Sequence, residues 1–214
     1  MPPFRFPRRL YPIVDTLGDE QRAYMELARA ILAAGAPFVQ LRVKDLATGV
    51  FVEVARQVKA LSDAAGAQLI INDRADIARL VDAAGVHLGQ DDLPVDAARA
   101  ILGREKIIGL STHNLAQAEA AARTGLVDYI GFGPVFATTS KERPDPLQGL
   151  DGLRRVRRAV SLPIVAIGGI TAATLPAVLD AGADAAAMIG EIVRAHDITA
   201  TVRHLLAASP HPAV

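Results

Sequence analysis

Short apolar runs that stop abruptly on polar residues alternate along this chain with stretches whose apolar residues recur every three or four positions. Leu10-Tyr11-Pro12-Ile13-Val14-Asp15 reads as a first strand. After it, Tyr24, Leu27, Ala28, Ile31 and Leu32 fall at i, i+3, i+4, i+7 and i+8, the apolar stripe of a helix capped by Asp19 and ended by Gly35. Phe38 to Lys44 predicts a second strand. A second helix turns Phe51, Val54, Ala55, Val58 and Leu61 inward and stops at Gly66. Leu69 to Arg74 and Gly85 to Asp92 predict two further strands around a short helical pattern. The alternation continues with a helix over Val95–Leu102, a strand from Lys106 to Ser111, a helix over Leu115–Thr124 and a strand from Tyr129 to Gly133. The next connection, Pro134 to Gly149, is far longer than the roughly 2–6 residues usual between strand and helix. A helix over Leu150–Val160, a strand from Ile164 to Gly168, a helix starting at Thr171 or Thr174, a strand from Ala185 to Ile189 and a helix from Ile198 to Ala207 complete the chain. Pro176 favours a helix start over a helix interior at its position.

Eight strand–helix repeats with near-continuous apolar strands predict a single-domain α/β fold, the (β/α)₈ TIM barrel. The rival is a doubly wound open sheet, but the first strand–helix turn, Asp15-Thr16-Leu17-Gly18-Asp19, lacks the G-x-G-x-x-G pattern such folds carry there. The barrel is expected over residues 10–208, after an N-terminal extension of residues 1–9. Residues 209–214 are expected to be a disordered tail.

Composition narrows the function. The chain has 214 residues, 51% of them hydrophobic, enough for a large core in one domain. Lys+Arg and Asp+Glu both number 23, and zero net charge argues against nucleic acid or an anionic membrane as partner. The absence of Cys excludes disulfides, thiolate nucleophiles and Cys metal sites. The basic N-terminus lacks an apolar signal-peptide core, and no stretch approaches the roughly 20 apolar residues of a membrane helix, so a cytoplasmic protein is expected. Aromatic residues make up only 4%, which predicts a core of Ala, Leu, Ile and Val. Oligomeric state is left open; a homo-oligomer is compatible with the sequence.

In a parallel barrel the strand ends converge on one mouth, where such folds keep their chemistry. Asp73 and Asp92 end consecutive strands, so both carboxylates can hold one hard cation such as Mg²⁺ with positions left for water and phosphate. They can equally be salt-bridge acids or helix caps. Alternation sends Gln40, Arg42 and Lys44 to one face and Leu41 and Val43 to the other. Two cations aimed into the mouth suit a phosphate group or a structural ion pair with Asp73 or Asp92. Ser111 reads as a cap or turn hydroxyl, and His87 and His113 as core or turn histidines. Thr138, Thr139, Ser140 and Lys141 lie on the long connection, either a solvated loop or a lid over substrate. Gly168-Gly169 allows close approach of backbone to a ligand, and Gly190-Glu191-Ile192-Val193-Arg194 suits a short extra helix. Together they occupy the usual barrel phosphate position, although small residues there also serve tight packing. Arg154, Arg155, Arg157 and Arg158 read as a solvated helix face.

Several of these stretches resemble the thiamine-phosphate synthase family. They are Gln40-Leu41-Arg42-Val43-Lys44, Ile71-Asn72-Asp73-Arg74, Gly85-Val86-His87-Leu88-Gly89-Gln90-Asp91-Asp92, Ser111-Thr112-His113, Gly131-Phe132-Gly133-Pro134-Val135-Phe136, Thr138-Thr139-Ser140-Lys141 and Ala166-Ile167-Gly168-Gly169-Ile170. The resemblance implies a transferase that joins 4-amino-2-methyl-5-(diphosphooxymethyl)pyrimidine to 4-methyl-5-(2-phosphooxyethyl)thiazole through a dissociative, Mg²⁺-assisted substitution. By the same resemblance, Asp73 and Asp92 hold Mg²⁺, and Gln40, Arg42, Lys44, Asn72, Ser111 and Lys141 meet the pyrimidine diphosphate. Lys141, Ser111 and Arg42 act at the reacting centre. Thr138, Thr139, Ser140, Gly169, Ile189 and Gly190 meet the thiazole phosphate. Four positions depart from the family pattern: Val43 replaces a common Glu, Ala137 a Pro, Ser140 a Thr and Gly190 a frequent Ser. The sister thiazole tautomerases share the barrel, the Gly-Gly site and a His near His113, but have no use for a diphosphate–metal pocket; Gln90-Asp91-Asp92 with Lys44 and Lys141 favours the synthase. A non-catalytic phosphate-binding barrel needs no second anion site on the second strand.

Overall fold

In the computed structural model, which describes residues 4–18, 23–44, 46–138 and 146–210, eight parallel strands close into one barrel in chain order. These are β1 (Leu10–Val14), β2 (Phe38–Leu41), β3 (Gln68–Asn72), β4 (Gly85–Leu88), β5 (Ile107–Thr112), β6 (Tyr129–Phe132), β7 (Ile164–Ala166) and β8 (Ala185–Met188). Pairing of Leu10 with Ala186 and Tyr11 with Ala187 closes β1 on β8, so the open-sheet alternative is ruled out. The surrounding helices are α1 (Tyr24–Ala33), α2 (Thr48–Ala64), α3 (Ala75–Leu80), α4 (Val95–Leu102), α5 (Leu115–Thr124), α6 (Gly149–Ala159), α7 (Leu175–Asp180), the one-turn α8 (Gly190–Val193) and α9 (Ile198–Ala208). Among the described residues no helix is long and apolar enough to cross a membrane.

Strand alternation sorts the core into two bodies. Val39 and Leu41 of β2, Leu69 and Ile71 of β3 and Ala186 and Met188 of β8 point outward, into one cluster with helix residues such as Leu27, Ile31, Phe51 and Val58. Phe38, Ile70, Ala185 and Ala187 from the same strands point inward. The outer sheath is mainly aliphatic, as the composition predicts. The inner core adds four aromatic rings, Phe6, Tyr11, Phe38 and Tyr129, to its aliphatic side chains. Phe38 meets Tyr11 at a ring-centroid distance of 4.8 Å, and Phe6 packs on Tyr129 and Phe38 at 5.1 and 5.3 Å, all edge-on. Phe4 adds a further edge contact to Phe6 at 4.8 Å. The described part of the N-terminal extension thus contributes aromatic rings to the barrel interior, with Phe6 buried.

Where sequence and structure differ, the cause is local. The ladder of β2 stops at Leu41 rather than Lys44, and that of β7 at Ala166 rather than Gly168, because the polar and glycine tips turn into the mouth. The inside–outside alternation survives past β2: Val43 is buried in the outer sheath, and the Arg42 backbone N–H still donates to Val14 at 2.9 Å. Asp19, the expected helix cap, lies outside the described residues; α1 begins at Tyr24 after Ala23, with no side-chain cap bond. Arg157 is not part of a solvated face. It donates to the Asp184 carboxylate at 2.9 Å and to the Leu162 carbonyl at 3.0 Å, tying α6 to the segments that lead into β8 and β7. Ser209, assigned to the tail, is buried and donates to the Leu205 carbonyl at 2.7 Å; residues 211–214 lie outside the described residues.

Candidate active site

The carboxyl ends of the strands surround a cavity of about 1300 Å³. Gln40, Arg42, Lys44, Asn72, Asp73, Asp92, Ser111, Thr138, Gly169, Ile189 and Gly190, all candidates from the sequence, line it together. They come from the ends of seven different strands, and only the closed barrel makes them neighbours. Thr139, Ser140 and Lys141 lie outside the described residues.

One wall is charged. Asp73 follows β3 with a φ of 63°, a left-handed conformation that costs a non-glycine residue on the order of 1 kcal/mol. Its N–H donates to the His87 carbonyl at 2.7 Å, which holds it against the end of β4. Asp92 faces Asp73 from the loop after β4, its Oδ2 accepting the Gly89 N–H at 2.6 Å. Withdrawal from water lifts the Asp92 carboxyl above the usual carboxylate range; the Gly89 N–H opposes this, while Asp73 adds a shared hydrogen bond and like-charge repulsion in the same direction. Lys44 Nζ reaches Asp73 Oδ2 at 2.6 Å, and Arg42 donates to Asp15 Oδ2. The Lys44 pair is the structural ion pair considered from the sequence. The acid of the Arg42 pair, Asp15, is not one that the strand-end pattern points to.

The donor set fits a magnesium ion of modest protein coordination. Two carboxylates converge, and among the described residues no group of three or more His, Asp or Glu side chains surrounds a metal position. Mg²⁺ is commonly held by one or two carboxylates, with waters and substrate phosphate completing its shell. Burial does most to lift the Asp92 carboxyl, and a cation between Asp73 and Asp92 would relieve the smaller contribution from their like charge.

The opposite wall is built from backbone. Gly168 and Gly169 have φ of 100° and 63°. A Cβ on Gly169 would stand 2.3 Å from the Ala137 carbonyl oxygen, and one on Gly168 would stand 2.6 Å from Pro134 Cβ. The glycine pair therefore lets the loop after β7 lie directly against the loop after β6, and Phe136 N–H donates to the Gly168 carbonyl at 3.0 Å. Beside it, α8 forms at the predicted position, with Glu191 accepting from the Ala172 N–H at 3.1 Å. Tight packing and a cavity-lining backbone are both present here.

Between the walls lies a buried polar row that the sequence reading missed. Gln40 Nε2 donates to Tyr11 Oη at 3.0 Å, and Tyr11 Oη lies 3.0 Å from Tyr129 Oη. Tyr129 Oη lies 3.0 Å from His87 Nδ1, and His87 Nε2 lies 2.9 Å from Ser111 Oγ. His87 is thus a satisfied core histidine, one of the two readings its sequence allows, with both ring nitrogens partnered, whereas Ser111 is not a cap. Burial pushes the His87 pKa down to about 4, against an upward pull from Asp73, so the ring is neutral at pH 7. His113 also lines the cavity, its Nδ1 2.9 Å from the Gly133 carbonyl. The one available sequence signal was Gly109 and Gly131, single glycines inside strand patterns, which mark close approach of another group.

Residues 10–192 match the family model described as thiamine monophosphate synthase. The thiamine-phosphate synthase of Chloroflexus aurantiacus is 46% identical over 199 residues, covering 93% of this chain and 91% of that one. Its counterpart from Moorella thermoacetica is 44% identical over 196 residues, covering 92% and 93%. The solved structure of thiamine phosphate pyrophosphorylase from Pyrococcus furiosus superposes with a TM-score of 0.83 at 35% identity, covering 94% of each chain. A 3-hexulose-6-phosphate synthase structure, 22% identical with a TM-score of 0.64, shares the fold. With the match running through β1 to α8, and so through both walls of the cavity, this chain is an enzyme of the transferase class and belongs to the thiamine-phosphate synthase family.

Proposed function

We propose that the chain joins 4-amino-2-methyl-5-(diphosphooxymethyl)pyrimidine to 4-methyl-5-(2-phosphooxyethyl)thiazole, forming thiamine phosphate and releasing diphosphate. The observation that carries this reading is a single cavity with two anion-suited walls, one bearing Arg42, Lys44 and a carboxylate pair, the other Gly169, Ile189 and Gly190. Its volume, about 1300 Å³, exceeds the roughly 300–1,000 Å³ typical of a site for one small ligand.

In this reading the diphosphate lies along the charged wall. Arg42 offers it a planar fork, Lys44 a point charge, and Gln40 and Asn72 neutral contacts from β2 and β3. The half-exposed Lys44–Asp73 pair is worth at most about 1 kcal/mol, so Lys44 is readily given up to a phosphate. Asp73 and Asp92 would hold Mg²⁺, which when bound supplies neutralisation of the diphosphate's charge. The C–O bond of the pyrimidinylmethyl diphosphate breaks and its electron pair leaves with the diphosphate. The aminopyrimidine stabilises the remaining methylene cation, and the thiazole nitrogen lone pair closes the new C–N bond. No protein nucleophile is needed. The chain's work is to hold two rings in line, gather cations around the leaving group and keep water out. Thr138, Gly169, Ile189 and Gly190 seat the thiazole phosphate, and Ser111 stands by the pyrimidine. Lys141 meets the leaving group, with Thr139 and Ser140 beside the thiazole phosphate, on the strength of their sequence motif.

Incubation of the purified chain with both substrates, with and without Mg²⁺, tests the reading. Thiamine phosphate and diphosphate are expected in equal amounts with metal and neither after chelation. Conversion of a thiazole carboxylate phosphate without metal would instead assign a tautomerase.

A further inference from the structure

We infer that Tyr129 is a positioning residue that acts through His87 to fix the direction in which Ser111 offers its hydroxyl proton to the cavity. The row Gln40–Tyr11–Tyr129–His87–Ser111 draws its members from β2, β1, β6, β4 and β5 and crosses the barrel interior in four contacts of 2.9–3.0 Å. Each contact holds one hydrogen, so the direction of one sets the direction of the next. Gln40 donates from its amide nitrogen to Tyr11. The Tyr11 proton then has Tyr129 as its acceptor; turned elsewhere, it would be buried without a partner, at a cost the interior does not return. Tyr129 in turn donates to His87 Nδ1. A neutral imidazole with an accepting Nδ1 carries its hydrogen on Nε2, and that hydrogen goes to Ser111 Oγ. Ser111 has accepted one hydrogen, and its own proton is left to point into the cavity it lines.

Two further features match this wiring. The interior is hollowed around Tyr129 and His87: a Cβ on Gly109 would stand 2.2 Å from Tyr129 Cζ and 2.6 Å from His87 Nδ1, and one on Gly131 would stand 3.0 Å from His87 Cε1. The two rings lie nearly parallel, 5.4 Å apart at 26°, so His87 cannot turn over without displacing Tyr129. The substrate atom that meets Ser111 is therefore a hydrogen-bond acceptor, a ring nitrogen or phosphoryl oxygen of the pyrimidine. That last identification rests on the function proposed above, whereas the wiring does not.

The test is nitrogen NMR on the full chain with ¹⁵N-labelled histidine at pH 7, the His87 signals being assigned by their loss in His87→Gln. The expected result is a bare Nδ1 and a protonated Nε2. A protonated Nδ1, alone or in an imidazolium, overturns the inference. Tyr129→Phe keeps the ring and removes the donor. It is expected to bring a protonated-Nδ1 population into view and to lower kcat about tenfold, the weight of roughly one oriented hydrogen bond, with KM for the thiazole phosphate unchanged. An unchanged tautomer in a folded Tyr129→Phe also overturns it. Absence of turnover in the unsubstituted chain bears on the proposed function alone, since the tautomer is read without substrate.

Discussion

Arg42 donates to the Asp15 carboxylate across the seam between β2 and β1, and the same carboxylate accepts the Leu17 N–H at 2.7 Å. Asp15 is buried and Arg42 only partly so. The acid therefore acts as a fixed post from which the guanidinium extends into the cavity. Asp15→Ala is expected to raise KM for the pyrimidine diphosphate about tenfold, because the cation must then be ordered at the moment of binding. KM for the thiazole phosphate should not change. Steady-state kinetics with each substrate varied in turn decides it, and equal shifts in both constants would remove Asp15 from this role.

Asp92 faces Asp73 with its carboxyl lifted by burial and by that neighbour. Asp92→Ala is expected to abolish Mg²⁺-dependent diphosphate release while circular dichroism and the melting transition stay near those of the parent. Retained, metal-dependent turnover would place the ion elsewhere.

Gly169 combines a φ of 63° with a backbone oxygen 2.3 Å from where a Cβ would stand. Gly169→Ala should destabilise the fold by at least about 2 kcal/mol and weaken thiazole-phosphate binding, since the loops after β6 and β7 must move apart. Urea unfolding and substrate titration measure the two effects. A fully stable variant would show that the loops part without cost.

Phe6 packs its ring against Tyr129, Phe38 and Tyr11 inside the barrel. Phe6→Ala is expected to lower stability by about 3–5 kcal/mol, and Phe6→Leu by much less. Denaturant midpoints at constant m-value provide the check, and a loss below about 1 kcal/mol would make the N-terminal segment dispensable to the core.

Stability should also depend on pH through His87. Its pKa falls from 6.5 to about 4 on folding, chiefly by burial, with Asp73 pulling the other way. Between those values the unfolded chain binds a proton that the folded chain refuses. Stability therefore rises with pH across the window, is complete above about pH 6.5, and loses up to about 3 kcal/mol as the pH falls to 4. Unfolding of the parent and of His87→Gln at pH 7.0 and 4.5 isolates this contribution. A parallel fall in both would assign the acid sensitivity to other groups.

By itself the sequence determined the barrel, because strand and helix periods are local properties of a few consecutive side chains. Val95–Leu102 and Leu115–Thr124 are helices with the boundaries expected from their apolar spacing and flanking glycines. It also determined which polar strand ends share a mouth, since parallel connections bring Asp73, Asp92, Arg42 and Lys44 to the same side whatever their partners. Tertiary structure alone decided what those groups touch. Tyr11 and Tyr129 are 118 positions apart, His87 and Tyr129 42, and Arg42 and Asp15 27; each contact exists only once the cylinder has closed, with a particular stagger and with glycines where rings must pass. A tyrosine in an apolar run reads as core, and inside this barrel it is both core and a link in a hydrogen-bonded row. The difference lies in which face of which strand stands opposite, and no local pattern encodes that.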